Sequence, residues 1–424
     1  MTKPATKDNA EFKTGWPVVL AAMVGIGLGL SPVPFYTIGM MAPELVKAFG
    51  WSFGAVMGGL PIMTMAVIIA SPLVGLLADR FGVRRVTLIS VALFGLAFMA
   101  FSLSTGSLLQ FYITWGVMAA LGAGTLPITW TRAVNGRFEQ HKGLALGLAL
   151  LGTGLFGYAV KPLAAWLITE HGWRAAYLVI GALPLLIALP IGYFCFHEAG
   201  AKTPDPSERR AADAARIGAT PGLSFKDTIR TWRFWVLATS FTLISFAIGG
   251  PIPNMENILK LADFNPSQIV HLVSLLGLSV IAGRIIGGWL IDRFWAPGVA
   301  FFLLSAPAAG CWILAHGPLD MTSAAACIVL IGFAAGVEYD LMAFLVARYF
   351  GMKTYATTYG ALYGFFALGA GFGPVIFGRA FDKTGSYDSV LMVSMGLLLA
   401  GALILLTLGR YGVFKTQPEH ERAN

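Results

Sequence analysis

The chain has 424 residues, 57% of them hydrophobic and only 12% charged, with a net charge of +8. A soluble protein of this length would carry about twice that share of charge, which excludes a soluble enzyme and makes nucleic acid an unsuitable partner for the excess of positive charge. The composition is that of a polytopic membrane protein with the lipid bilayer around it.

The opening stretch, "MTKPATKDNAEFKTG" (1–15), is polar and lacks an apolar core, so no cleaved signal peptide is expected. Twelve apolar spans follow, at about 16–40, 52–77, 84–104, 108–133, 143–167, 173–195, 232–257, 266–291, 297–316, 322–347, 356–380 and 387–410. Each is long enough to cross a hydrocarbon layer of about 30 Å. Most connections are short. The exception, 196–231, is polar and rich in Pro, Ala and charge. It predicts an N-terminal bundle at 1–195, a cytoplasmic linker at 196–231 and a C-terminal bundle at 232–424. The expected fold class is all-α integral membrane, with twelve transmembrane helices in two six-helix bundles.

With the N-terminus in the cytoplasm, 22 of the Lys and Arg residues fall on cytoplasmic segments and 5 on the outer side. That asymmetry predicts both termini in the cytoplasm. The halves also echo each other: "GLLADRFG" (75–82) follows span 2 and "GWLIDRFW" (288–295) follows span 8. Two similar six-helix halves joined by a cytoplasmic linker are a transporter pattern, with the substrate site near the midplane between them.

Few charges lie inside the spans. Lys161, in "GYAVKPLAAWL", is about 27 Å from the cytoplasmic start of span 5, close enough to the outer surface to snorkel, so a rim or structural role is expected of it. Arg284, in "GLSVIAGRIIGGWLIDRF" (277–294), is about 12 Å above the cytoplasmic end of span 8. Facing lipid there it would cost at least about 2.5–3.5 kcal/mol. It therefore faces a partner or a wet cavity, and its planar fork suits a carboxylate. The readings are a substrate anchor or a permanent ion pair between helices. Glu338 and Asp340, in "GFAAGVEYDLMAFLVARYF" (332–350), are the candidate acids well inside a span. Two residues apart on a helix, they point about 200° away from each other, so one is expected at the cavity and the other against a neighbouring helix. Either is a candidate proton carrier. Tyr36, Thr129, Trp130, Tyr158, Asn254, Tyr339, Tyr359 and Tyr363 are the aromatic and polar residues expected near that cavity. Together they suit a substrate with one carboxylate and an apolar or aromatic body.

"GLLADRFGVRRV" (75–86) resembles the loop signature of the major facilitator superfamily, with Gly75, Asp79, Arg80, Gly82, Arg84 and Arg85 in register. In that family the loop is a cytoplasmic gate element. The resemblance implies gating roles for Asp79, Arg80 and Arg84, with Arg132 near Asp79. In the second copy it implies the same for Asp292 and Arg293, with Arg348 as the symmetry-related partner. Within the superfamily, "AFGWSFGAV" (48–56) and "FGRAFDKTGSYDSVL" (377–391) look like the helix 1–2 and helix 11–12 junctions of the monocarboxylate porter family. That family carries an arginine in helix 8 that binds the substrate carboxylate, which Arg284 matches. The chain departs from the animal members at two points. Phe35 and Tyr36 stand where they place a lysine, and Val280 where they place an aspartate.

These readings point to a secondary transporter moving a small organic anion with a proton. Arg284, Tyr36, Trp130, Tyr158, Asn254, Tyr359 and Tyr363 would hold the substrate, and Glu338 or Asp340 the proton. Alternatives are an exchanger or exporter on the same fold, or a sensor that binds the anion without moving it. No catalytic set, metal site or cofactor is expected, because no Walker pattern or His/Cys cluster occurs. A monomer suffices for the fold. Tight loops and short tails suggest a bacterial inner membrane.

Overall fold

The computed structural model describes residues 8–138, 142–197, 222–351 and 353–411. Among them, backbone pairing outside helices is limited to one bridge, between Gly222 and Gly351. Helices are the expected outcome, since a backbone in hydrocarbon must satisfy its own hydrogen bonds.

Among the described residues, eleven stretches are long and apolar enough to cross a membrane. They are α1 (Phe12–Phe49), α2 (Phe53–Ala78), α3 (Val83–Leu103), α4 (Leu108–Thr131), a 52-residue stretch (Leu144–Cys195), α7 (Trp232–Leu261), α8 (Pro266–Arg293), α9 (Ala296–His316), α10 (Met321–Phe350), α11 (Thr357–Thr384) and α12 (Asp388–Leu406). The 52-residue stretch is two helices joined at Gly172, where φ is 81°. A side chain would be strained there, so the chain breaks into α5 (144–171) and α6 (173–195). The result is the expected twelve crossings. An even number of crossings returns the chain to the side where it started. That end of the bundle is called proximal below and the other end distal.

Polar caps set where helices begin. Ser52, Ser107, Asn265 and Asp320 each accept a backbone N–H from the first turn that follows them. Among the described residues, four crossings are interrupted midway beside a proline, α9 before Pro307 among them. α1 breaks before Pro32, α4 before Pro127 and α7 before Pro251, as expected where proline removes a donor and clashes with the preceding turn. The breaks of α1 and α4 are tied together, since the Leu30 N–H donates to Thr125 Oγ1 at 2.9 Å.

The largest buried apolar cluster draws only on residues 234–408. The next two draw on residues 18–196, apart from Val375. Residues 198–221 of the expected linker lie outside the described residues. Its last part is not plain coil: Phe225–Arg230 forms a short helix capped by Ser224. The Leu223 N–H donates to the Phe350 carbonyl at 2.9 Å, which seats this segment at the end of α10.

Contacts between α1–α6 and α7–α12 are concentrated in the distal half. A Cβ on Gly277 of α8 would lie 2.5 Å from the Gly154 carbonyl of α5, and one on Gly371 of α11 would lie 2.5 Å from Thr64 of α2. In the proximal halves of the same four helices, Gly75, Gly147, Gly288, Gly360 and Gly364 have no heavy atom within 4 Å of a built Cβ. Among the described residues the two sets of helices touch at the distal end, and these five proximal glycines face open space.

Candidate functional site

The site is built on the pairing of α8 with α10. Gly283 and Gly287 face α10, while Gly332 and Gly336 face α8. A Cβ on Gly287 would lie 2.5 Å from Val337 Cγ2, and one on Gly332 would lie 2.8 Å from Ser279 Cβ. Cβ atoms on Gly283 and Gly336 would run into the carbonyls of Phe333 and Val280. Small residues four apart on both helices allow the backbones to touch. This close approach sets Arg284 of α8 against Glu338, Tyr339 and Asp340 of α10.

Arg284 makes one long ion pair, from Nη1 to Asp340 Oδ1 at 3.7 Å. Its guanidinium lies 6.0 Å from the centre of the Tyr339 ring. Its Nε is buried without a hydrogen-bond partner, and so is Oε2 of Glu338. Both acids interact electrostatically with Arg284. Helix periodicity sends their Cα–Cβ bonds apart, yet a long arginine side chain reaches the field of both. They differ in access: Glu338 is 4% exposed, whereas the Asp340 side chain is 36% exposed. Asp340 is thus the more exposed acid, and Glu338 is enclosed.

Tyr36 of α1 closes the group from the other set of helices. It feels the charges of Arg284 and Glu338, and its ring packs 2.7 Å from where a Cβ would stand on Gly157 of α5. On the C-terminal side, aromatic rings follow one another at helical spacing on the helix Tyr355–Thr384. Tyr355 stacks on Tyr359 at 5.9 Å, Tyr359 on Tyr363 at 6.4 Å, and Tyr363 on Phe366 at 5.8 Å. Tyr339 joins this ladder through Phe366 at 4.6 Å. Tyr359 in turn interacts with Asp340 and Arg284.

Three expected site residues are not brought to Arg284. Trp130 is fully buried, with its ring against Phe196 at 4.6 Å and its Nε1 donating to the Thr125 carbonyl. Asn254 is also fully buried, and its Nδ2 donates to the carbonyls of Gly250 and Pro374. That pair of bonds holds the broken helix α7 to α11. Tyr158 lies where α5 crosses α8 at Gly277, and its side chain is exposed.

The expected proximal gate falls only in part on described side chains. The side chains of Asp79 and Arg132 lie outside the described residues. Arg80 stands over Phe81, and Arg84 donates to the Tyr193 carbonyl. Arg293 covers Trp289 at 4.1 Å, and Arg348 covers Phe344 at 5.1 Å. The symmetry-derived pairing of Asp292 with Arg348 does not occur, because Asp292 is exposed and the ion pairs among the described residues are elsewhere.

The distal end is different. Lys161 is 1% exposed and forms an ion pair with Glu256 of α7. Of the rim and structural roles expected of Lys161, the ion pair is the structural one, and the side chain does not snorkel to the rim. The sequence reading missed Glu256 because it sits at the very end of its apolar span and looks interfacial. The matching depths of Lys161 and Glu256, both near the distal ends of their helices, were the available signal. Nearby, the Asp382 carboxylate accepts the N–H groups of Phe53 and Gly54, both at 2.8 Å. The two junction motifs singled out in the sequence meet at this point. Among the described residues, no group of His, Cys, Asp and Glu could hold a metal ion.

The sequence profile of the Major Facilitator Superfamily matches residues 24–374. Monocarboxylate transporter 13 of Bos taurus is 28% identical over 404 residues, covering 94% of this chain and 90% of that protein. A Thermoproteus tenax protein described as an uncharacterized 38 kDa protein in the 23S RNA operon is 30% identical, covering 87% of this chain and 90% of that one. Among solved structures, the inward open conformation of the xylose transporter XylE from E. coli superimposes with a TM-score of 0.72 at 12% identity. It covers 95% of this chain and 98% of that one. At that identity the likeness speaks for the fold.

Proposed function

The chain belongs to the major facilitator superfamily, whose members are multi-pass membrane transporters rather than enzymes, and from that premise we propose that it carries a small monocarboxylate together with a proton. The observation that carries this reading is the unsaturated fork of Arg284. A guanidinium offers five donors, yet this one has a single ion pair at 3.7 Å and a buried Nε with no partner. A permanent structural tie would be short and fully bonded. Arg284 is instead free to take a carboxylate in two parallel hydrogen bonds.

The steps follow from the charges. A substrate carboxylate entering beside Arg284 displaces Asp340, the more exposed acid. The displaced acid then lacks its counter-charge, and a proton neutralises it. Glu338, enclosed and with one oxygen unbonded, is the second proton site. The loaded cluster carries no more net charge than the empty one, so the closed intermediate avoids a lone ion at the midplane. Tyr36, Tyr359 and Tyr363 present ring faces to the rest of the substrate, which suits an apolar or aromatic body. Trp130, Asn254 and Tyr158 keep no substrate role in this proposal. Residues 1–195 and 232–424 are the two moving bundles, and both termini lie in the cytoplasm of an inner (plasma) membrane. Close relatives in function would include proteins named monocarboxylate transporters.

The test is thermal stabilisation of the purified protein by a panel of carboxylic acids and their amides. A ligand at 100 times its Kd adds about 2.7 kcal/mol of stability. An acid that raises Tm while its amide does not, with the rise lost in Arg284→Ala, is the expected result. Equal stabilisation by acid and amide would reject the anchor.

A further inference from the structure

We propose that Lys161, Glu256 and Asp382 form the distal gate of the transport cycle, a clamp of charged contacts that must break each time that end opens. The proposal rests on alternating access and is independent of the substrate's identity. Each contact joins the first six helices to the last six. Lys161 of α5 meets Glu256 of α7. Asp382 of α11 holds the N–H groups of Phe53 and Gly54 at the start of α2. Beside them the backbones of α1 and α7 touch, since a Cβ on Gly39 would collide with the Pro253 carbonyl and the Glu256 carboxylate. Phe53 and Phe381 pack edge to face at 5.8 Å over the same seam.

A static seam would be better made from apolar side chains. Burying two charges costs desolvation that their mutual attraction only just offsets, and well-packed aliphatic residues of similar size hold at least as firmly. The pair is not fully satisfied even when closed, because Oε2 of Glu256 is buried without a hydrogen-bond partner. The arrangement gains its advantage when the seam opens. Water then enters, solvates both ions and recovers much of the cost of separating them. An aliphatic seam would lose on opening, since parting it exposes apolar surface. Charged contacts thus keep the closed and open states close in free energy, as a carrier that visits both requires. The Asp382 contacts work in the same way, since a freed carboxylate and freed first-turn N–H groups are both readily hydrated.

Spin-label distances across the distal end test this. Lys47 and Lys260 are exposed near the distal ends of α1 and α7. Labels at Lys47→Cys and Lys260→Cys, with Cys195, Cys311 and Cys327 replaced by alanine, report the gap in lipid nanodiscs. Glu256→Gln strands the Lys161 charge in the closed state, so the long-distance population is expected to rise on the order of tenfold. Lys161→Met with Glu256→Leu removes both charges. It is expected to leave only the short distance and to reduce turnover at least about tenfold, with thermal stability kept. Asp382→Asn, at an exposed position, is expected to raise the long-distance population as well and covers the case in which the buried variants fail to fold. Unchanged distances in Glu256→Gln or in Asp382→Asn would overturn the proposal. So would parental turnover in the double variant.

Discussion

Replacing Gly336 with alanine tests whether the contact between α8 and α10 holds the site in place. A Cβ at Gly336 would collide with the Val280 carbonyl oxygen and lie 3.0 Å from its carbon and 3.1 Å from the Arg284 amide nitrogen. Comfortable contact between such atoms begins at about 3.5 Å, so α8 must retreat by roughly 0.5–1 Å. Overpacking of this kind costs about 1–3 kcal/mol, which corresponds to a fall in Tm of roughly 1–3 °C for a chain of this size. Arg284 moves with α8, away from Glu338 and Asp340, and a binding group displaced by more than about 0.5 Å leaves its working geometry. Substrate affinity is therefore expected to drop about tenfold or more. The assay is thermal unfolding in detergent together with ligand-induced stabilisation. Gly364→Ala is the control, because nothing lies within 4 Å of its Cβ and its Tm and ligand response should match the parent. A Gly336→Ala protein that unfolds and binds like the parent would refute the reasoning.

Three further outcomes are expected. Asp340→Asn, assayed by proton release into the vesicle lumen alongside uptake, should uncouple the two flows and tighten substrate binding, because it removes both the acid that competes for Arg284 and the proton that acid takes up, whereas Glu338→Gln, at the second proton site, should lower the protons carried per substrate without the gain in affinity; identical effects of the two changes would contradict their separate roles. Tyr363→Ala should weaken an aromatic acid about two- to twelvefold, as loss of one stacking ring of about 0.5–1.5 kcal/mol implies, and leave a short aliphatic acid almost unaffected; equal losses for both would remove the rings from the substrate. Arg284→Lys keeps the charge and loses the fork, so it should fall short of the parent by the about 1.5–3 kcal/mol of one charge-assisted hydrogen bond, read as a tenfold or larger change in half-saturating substrate; parental behaviour would make the arginine a plain point charge.

Much of the architecture could be read from the sequence because lipid restricts it to helices of a set length. Twelve apolar runs and the polar linker are visible as composition, the separation of two crossings beside Gly172 included, while the first run, expected at 16–40, continues to Phe49. Arg284 stood out because a guanidinium amid apolar residues and glycines has no cheap explanation. Tyr36, Tyr359 and Tyr363 could be named as candidates; the structure brings Tyr36 and Tyr359 into the field of that arginine and joins Tyr363 to them through the ring of Tyr359. Trp130 and Asn254 could not be sorted the same way. A large or polar residue near the middle of a span serves packing as readily as binding, and the choice depends on neighbours such as Phe196 and Pro374 that are far away in sequence. Glu256 escaped notice because depth along a helix was judged from span ends, and an acid at a span end reads as solvated. Its partner Lys161 lies 95 residues away, and no spacing rule connects them. The meeting of Asp382 with residues 53 and 54 was likewise hidden, although both stretches had been marked as junction motifs.

The account stands on Arg284 as the anchor of a proton-coupled carboxylate carrier. The most direct measurement is uptake of radiolabelled carboxylic acids into proteoliposomes, with and without an inward proton gradient, for the parent and Arg284→Ala. The expected result is one acid that accumulates only with the gradient and whose accumulation the substitution abolishes. Accumulation that ignores the gradient, or an Arg284→Ala carrier as active as the parent, would contradict it.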